Sequence, residues 1–427
     1  MNKKIVILSI ILLLSLISRI LPIFLVPQEI KNVKSDSLEY NELAKNILAG
    51  KGYVYIDENM PFKGVTAFRT PGYPLFLTFV YKLFGIQNYN VVRMCQAILL
   101  SFIPLLLFLI AGMFLSEKIA LTACIFGLIY KPFIVMDFYG GPIFLLSENL
   151  VIFTFLIFVY LFLLSLKKES LLLVFLSGVS IGISALVRPM FGLFIFLAVL
   201  IIIISKRISF KKAIQHIAIL VISFSIVVLP WFIRNYLVFK KVVFSTQTGK
   251  VLYGGNNPNA KGGWCRNIPA DMREKTRQMS ELESNIFFVK ATVDYIRSNM
   301  RILPKLMFKK IVVAFQPFYT GYEYNLFYAI FFPFFILSLF AMTKNNPFYL
   351  IMISAFIYFL FISLIFFGDP RFRYPFEPLF LIGASFSINQ MLKSIHKKAF
   401  IVMVSTYIMI NIIIYFYWEN IWHLIKG

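Results

Sequence analysis

Eleven long apolar runs constrain this chain more than any other feature of it. They occupy residues 5–24, 91–115, 119–135, 150–166, 171–186, 191–204, 214–228, 326–340, 348–367, 375–388 and 399–417. Most approach the roughly 20 residues that cross a bilayer as a helix. Backbone inside lipid must satisfy its own polar groups, so such runs predict an all-α polytopic membrane protein, a multi-pass protein of the cell membrane. Composition agrees, because only 14% of 427 residues are charged and 59% are hydrophobic, against about a quarter charged in soluble domains. Lys3 and Lys4 precede the first run as they would in a signal peptide. The stretch from Leu21 to Pro27 offers no small-residue cleavage site, so the run reads as a retained helix.

Charge sets the orientation. The formal net charge of +23 does not point to nucleic acid, because Lys and Arg are spread over the loops between apolar runs. Short cytoplasmic loops carry such an excess. With the N terminus in the cytoplasm, Glu117-Lys118, Lys167-Lys168, Lys344 and the basic stretches 206–212 and 393–398 fall on the cytoplasmic side. The outer side then receives two long polar segments, 27–90 and 234–324, and almost all of the nineteen acidic residues. The chain reads as a single membrane-embedded domain with its polar chemistry on the extracytoplasmic face. Within the outer segments, 43–48, 73–84 and 303–315 read as helices lying along the interface, the last with Lys305, Lys309 and Lys310 on one face. Cys95, Cys124 and Cys265 lack metal or disulfide spacing, and His216, His396 and His423 are widely separated, so a His-based metal site or triad is not expected.

Candidate chemistry concentrates in the outer segments. Asp36, just after the first run, stands where a lipid head group and a water-soluble acceptor can meet. Transfer from a sugar phosphate needs a base for the acceptor proton and cations for the departing phosphate. Asp36 suits the first role, or caps the helix that begins near Ser37; Arg69 and Lys63 suit the second. Glu148 opens a later run on the same side, as a second carboxylate or as a helix-terminal acid facing the macrodipole. Asp137 is a weaker candidate. Arg19 and Arg188 lie near the outer ends of apolar runs, either to neutralise a phosphate or to snorkel to the surface.

Asp36 through Ala44, the Gly50-Lys51-Gly52-Tyr53 turn and Arg69-Thr70-Pro71-Gly72-Tyr73-Pro74 together resemble the first outer loop of GT-C-type glycosyltransferases. The resemblance is to the family 39 group, which includes protein O-mannosyltransferases and lipid A aminoarabinose transferases. It implies a polyprenyl-phosphate-linked sugar as donor, inversion at the anomeric carbon, and Asp36 as the catalytic acid that acts as base or organises the acceptor. Glu148 matches a second family acid by position, and the late segment Gly368-Asp369-Pro370-Arg371-Phe372-Arg373-Tyr374-Pro375 is similar to an Arg-Tyr-Pro segment of the family. Protein mannosyltransferases carry two adjacent acids; here Ser37 follows Asp36, which favours a bacterial-type relative.

The expected donor-phosphate ligands are therefore Arg69, Arg188, Lys309, Arg371 and Arg373, with Arg371 and Arg373 offering a bidentate geometry that lysine lacks. Tyr40, Tyr73, Asn256, Asn257, Trp264 and Tyr374 are candidates for binding the substrate. The cofactor is unknown, a divalent metal on Asp36 and Glu148 being the one candidate. Expected partners are the lipid-linked donor, a lipid, glycan or protein acceptor, and membrane lipids. A secondary transporter or flippase of lipid-linked glycans is the rival reading, but such proteins place ionisable groups near the midplane and show matched halves. A lipid-linked glycan polymerase or ligase would share the donor chemistry.

Overall fold

The computed structural model describes residues 3–426 except 28, 30, 32, 57–61, 136–140, 206, 319–323, 345 and 395–396, with backbone alone for 397–401 and 418–426. Asp137 and His396, and the side chain of His423, lie outside the described residues. The fold is 77% helical, which settles the all-α class. The described strands are β1 (Val54–Tyr55) and β2 (Gly64–Val65), an antiparallel pair in the register Val54 to Val65.

After α1 (Lys3–Leu25), the first polar segment folds as α2 (Asp36–Leu48), the β-hairpin and α3 (Gly72–Phe84). One apolar run then divides at Phe102 into α4 (Tyr89–Ser101) and α5 (Ile103–Gly112). The bundle continues with α6 (Glu117–Ile129), α7 (Ser147–Lys168), α8 (Leu171–Val187), α9 (Phe194–Ser205) and α10 (Phe210–Phe239). The second polar segment forms α11 (Thr248–Gly255), α12 (Ala270–Arg277), α13 (Glu281–Ser298) and α14 (Leu303–Phe315). The chain closes with α15 (Leu326–Ala341), α16 (Pro347–Ile365), the single turn α17 (Pro370–Arg373), α18 (Glu377–Ser394) and α19 (Lys397–Lys426). Every apolar run carries a helix. Among the described residues, α1, the α4–α5 pair, α7, α10 and α16 are each long and apolar enough to span a membrane alone.

Helix packing follows from small residues and aromatic shape. Gly178 and Gly182 line one face of α8, and a Cβ on Gly178 would fall 1.9 Å from Ser223 Oγ and 2.7 Å from Leu220 O of α10. The two backbones touch because those side chains are missing, the usual device where lipid offers no hydrophobic drive. Elsewhere Phe335 of α15 stacks on Phe380 of α18 at 4.1 Å between centroids, and Phe155, Phe191 and Phe376 pack together at 5.0–5.4 Å.

Arg19 neither snorkels nor meets a head group. It is fully buried and donates to Ser15 O at 3.2 Å and Gly127 O at 2.9 Å, tying α1 to α6. At one end of the bundle Lys4 pairs with Glu117 at 3.1 Å, and Lys212 pairs with Glu169. These four residues share the side assigned to the cytoplasm. Glu148 stands at the opposite end of α7 from Glu169.

At that opposite end the two polar segments interlock. Thr246 N donates to Ala67 O at 3.1 Å, Ser245 Oγ to Phe68 O at 2.9 Å and Arg234 Nη1 to Thr66 O at 2.7 Å. Glu281, the first residue of α13, accepts from Ala67 N at 2.8 Å. A reciprocal capping box between Ser280 and Glu283 fixes the start of that helix. Lys305 and Lys309 of α14 are exposed while Lys310 turns inward, so the three lysines do not share a face.

Gly72 sets the height of this roof above the bundle. A Cβ there would lie 2.6 Å from Val187 N, 2.7 Å from Leu186 C and 2.8 Å from Leu186 O, all backbone at the end of α8. Gly72→Ala must push α3 off α8, an overpacking that costs about 1–3 kcal/mol. Thermal unfolding in detergent should show a lowered midpoint for Gly72→Ala and none for Gly112→Ala used as the control, where a Cβ meets only Ala120 Cβ at an ordinary 3.8 Å.

Candidate active site

The first turn of α2 supplies two acids. Asp36 and Glu39 are three residues apart and share a helical face, and Arg69, from the stretch after β2, reaches both. Its Nη2 lies 2.6 Å from Asp36 Oδ1 and its Nε 2.5 Å from Glu39 Oε2. Nη1 donates to Gln247 Oε1 at 3.3 Å, bringing the start of α11 to the same place. The guanidinium lies over the Tyr40 ring at 5.2 Å, a contact that favours a cation on an aromatic face.

Arg371 extends this cluster across the bundle. Its Nη2 lies 2.7 Å from Asp36 Oδ2, and its Nε pairs with Glu148 Oε1. Arg188, at the end of α8, pairs with the same Glu148 oxygen at 2.6 Å. The other oxygen, Oε2, accepts from Ser147 Oγ at 3.1 Å, and Tyr40 Oη donates to that hydroxyl at 3.2 Å. Asp369 caps α17, its Oδ1 accepting from Arg371 N at 2.8 Å. Glu148 is wholly buried, whereas Asp36, Glu39, Arg69, Arg188 and Arg371 keep 11–18% of their side-chain surface exposed. The arginines therefore keep some exposed surface, while the Glu148 carboxylate that pairs with Arg188 and Arg371 has none.

The electrostatics divide the acids. Burial alone would raise the Asp36 carboxyl, but Arg69 and Arg371 more than offset it and hold the group well below the usual carboxylate range. Burial opposes the charge on Arg69 too, and Asp36 with its neighbours reverses that, so the guanidinium stays charged. Glu39 is raised, its burial outweighing Arg69. Asp369 is pushed up to about 6 by burial, which outweighs the Arg371 amide and the Arg188 and Arg373 charges.

The remaining sequence candidates fall elsewhere. Tyr73 is buried beneath Tyr40, edge-on at 4.9 Å, and donates to Gln96 Oε1 at 2.7 Å, so it supports Tyr40 and does not face a ligand. Arg373 turns the other way from Arg371. It is fully buried, pairs with Glu377 at 2.8 Å and donates to Ala314 O and Gln316 O at 2.9 and 2.7 Å. Tyr374 is buried and donates to Pro132 O at 2.8 Å. Asn256 holds Leu252 O and Ile365 O at 2.8 Å each and accepts from Lys310 Nζ at 2.7 Å. Asn257 donates to Tyr253 O at 2.8 Å and accepts from Asn259 N at 2.8 Å. Trp264 packs on Gly254 and on Phe367, 5.2 Å between centroids. Lys309 and Lys63 are exposed. Among the expected ligands, Arg373, Tyr374, Asn256 and Asn257 thus spend their polar groups on the protein itself. Glu39, Gln247 and Asp369 join the cluster instead. Glu39 was readable from its three-residue spacing to Asp36; Gln247 carried no signal.

Asp36 and Glu148 do not fit a metal ion. Arg371 bridges them, Arg69 and Arg188 take further oxygens, and three guanidiniums repel a cation. No group of three His, Cys, Asp or Glu side chains among the described residues could hold one.

Comparison with known proteins bears on the fold that carries this site. A family model described as dolichyl-phosphate-mannose-protein mannosyltransferase matches residues 68–232, which include Arg69, Glu148 and Arg188. The archaeal oligosaccharyltransferase AglB of Archaeoglobus fulgidus, solved with an inhibitory peptide and a dolichol-phosphate, superposes over 97% of this chain with a TM-score of 0.57 at 11% identity. Its apo form gives 0.59 at 13% identity over 96% of the chain. ArnT of Cupriavidus metallidurans, solved bound to undecaprenyl phosphate, gives 0.53 at 14% identity over 91%. The chain has a GT-C fold. It spans 54% of each AglB chain and 61% of the ArnT chain. No curated protein sequence matches it. Asp36, Asp369 and Arg371 lie outside the matched family segment, so the cluster rests on its own geometry.

Removing the buried member should be the costliest change. Glu148→Ala leaves Arg188 and Arg371 facing each other without their shared carboxylate, a loss on the order of 3–5 kcal/mol for a broken buried pair. Thermal unfolding is expected to show a large drop for Glu148→Ala, partly recovered by adding Arg188→Met. A drop left unchanged by the second substitution would mean that packing, not charge, governs the site.

Proposed function

We propose that this GT-C protein is an inverting glycosyltransferase that moves a sugar from a polyprenyl-phosphate donor to an acceptor hydroxyl or amine on the outer face of the membrane. The observation that carries this reading is the partly exposed triplet Arg69, Arg188 and Arg371, held at one end of the bundle by Asp36 and Glu148. Planar guanidiniums suit phosphate oxygens, and the end of a membrane bundle is where such cations would meet a lipid phosphate. AglB and ArnT, solved with dolichol-phosphate and undecaprenyl phosphate, support the donor class. The loop charges support the outer side.

In this reading the leaving phosphate develops its charge beside three fixed cations, the electrostatic preorganisation that contributes most to many enzymic rates. Because Asp36 spends both oxygens on Arg69 and Arg371, its role is to organise those cations. The rival transporter reading finds little support, since the charged cluster sits at one end of the bundle and the two polar segments interlock as one roof, not as matched halves.

Purified protein offered a panel of undecaprenyl-phosphate sugars with membrane extract as acceptor should release polyprenyl phosphate. Asp36→Asn should lower that release by about 10²–10³-fold, the range for losing one preorganised electrostatic contact. Equal rates for both proteins would remove Asp36 from the mechanism. Substrate movement across proteoliposomes with no transfer from any donor would establish the transporter.

A further inference from the structure

Four carboxylates meet the arginine cluster, and they are not equally committed. Asp36 has Oδ1 on Arg69 and Oδ2 on Arg371. Glu148 has Oε1 on two arginines and Oε2 on Ser147. Glu39 is ion-paired to Arg69 at 2.5 Å. Asp369 alone of the four makes no ion pair among the described residues; only its Oδ1 is engaged, by a backbone amide. A proton acceptor needs a free lone pair, and a carboxylate locked between two guanidiniums is a poor base because each contact favours its ionised form.

We infer that Asp369 is the general base of the transfer, its Oδ2 taking the proton of the acceptor while Asp36 and Glu148 hold the arginines for the phosphate. The inference rests on the transferase reading above. Its geometry is fixed on both sides. Gly368 N donates to Gly262 O at 2.8 Å, and a Cβ on Gly368 would lie 2.0 Å from Lys310 O, so the turn is pressed against α14. Two residues on, the Arg371 guanidinium reaches Asp36 and Glu148. The base and one of the cations proposed to receive the phosphate thus belong to the same short turn, two residues apart.

The surroundings suit the task. The charges acting on Asp369 are Arg188 from the end of α8 and Arg373 from its own turn, while Arg371 meets it through its backbone amide. The preceding helix α16 carries no charged side chain, and Lys310 of α14 is directed to Asn256 and Leu364 O. Burial leaves the carboxyl pushed up to about 6, near the operating range where a base is most effective. In the step itself the acceptor oxygen or nitrogen forms a bond to the anomeric carbon from the face opposite the phosphate. The carbon–oxygen bond to phosphate breaks, its electron pair leaving on polyprenyl phosphate, and the acceptor proton moves to Asp369.

Asp369 also caps α17, so the test must separate the two roles. Asn and Ser both cap as Asp does but cannot take the proton. The undecaprenyl-phosphate sugar that wild-type protein turns over is the probe, with rates measured from acid to neutral pH. Wild-type kcat/KM should fall as the pH drops through about 6, where the base becomes protonated. Asp369→Asn and Asp369→Ser should lower kcat by about 10²–10⁴-fold, keep the donor KM and thermal midpoint, and lose that acid limb. Asp369→Glu should recover part of the rate. Wild-type kcat in the Asn and Ser proteins, or an acid limb that persists in them, would leave Asp369 as a cap only. If wild-type protein turns over no donor, the transferase reading fails first and the base falls with it.

Discussion

The guanidinium of Arg371 joins Asp36 of the first polar segment to Glu148 at the head of α7, and most of the site depends on that bridge. Glu148 is wholly buried, and an ionised carboxylate is tolerated there only with cations and hydrogen bonds around it. Arg188 and Ser147 supply part of that support, Ser147 accepting in turn from Tyr40 of the roof, and Arg371 adds the ion pair that reaches Asp36. Through Asp36 the bridge continues to Arg69, Glu39 and Gln247. Six separate stretches of the chain, at 36–39, 69, 147–148, 188, 247 and 371, are thus held in one electrostatic network. Because the partners are separated by long stretches of sequence, the network can exist only when bundle and roof are both formed.

The roof is rigid for reasons of backbone pairing. Residues 66–69 are gripped by the second polar segment through Arg234, Ser245, Thr246 and Glu281, which places Arg69 without help from the ligand. The turn at 365–371 is gripped in the same way by Lys310, Asn256 and Gly262. Burial pushes Lys310 down to about 8, in keeping with a lysine used for hydrogen bonding to carbonyls and an amide. Preorganisation of this kind is what an electrostatic site requires, since the protein dipoles and charges must already point at the charge that will form.

Much of the fold could be read from the chain because lipid imposes one solution on long apolar runs: each became a helix. The helices over 73–84 and 303–315 were legible for the same reason, as apolar stretches too short to span. Asp36, Arg69, Glu148, Arg188 and Arg371 could be singled out as charged residues beside apolar runs, where charge needs a purpose. What sequence could not supply was direction. Arg371 and Arg373 are two residues apart on one short turn and point oppositely, one into the cluster and one into the core beside Glu377. Asn256, Asn257 and Tyr374 looked ligand-like by chemistry, yet the backbone groups around them claimed their hydrogen bonds. Asp369 was visible in its motif, but its uncommitted oxygen emerges only once every other carboxylate's partners are counted.

The structure of the protein in lipid nanodiscs with undecaprenyl phosphate, solved by electron microscopy, tests the central claim most directly. The account predicts the phosphate among Arg69, Arg188 and Arg371, with at least one guanidinium turned from its carboxylate to the phosphate oxygens. A lipid phosphate bound elsewhere on the bundle, with the bridge between Asp36 and Glu148 unchanged, would contradict it.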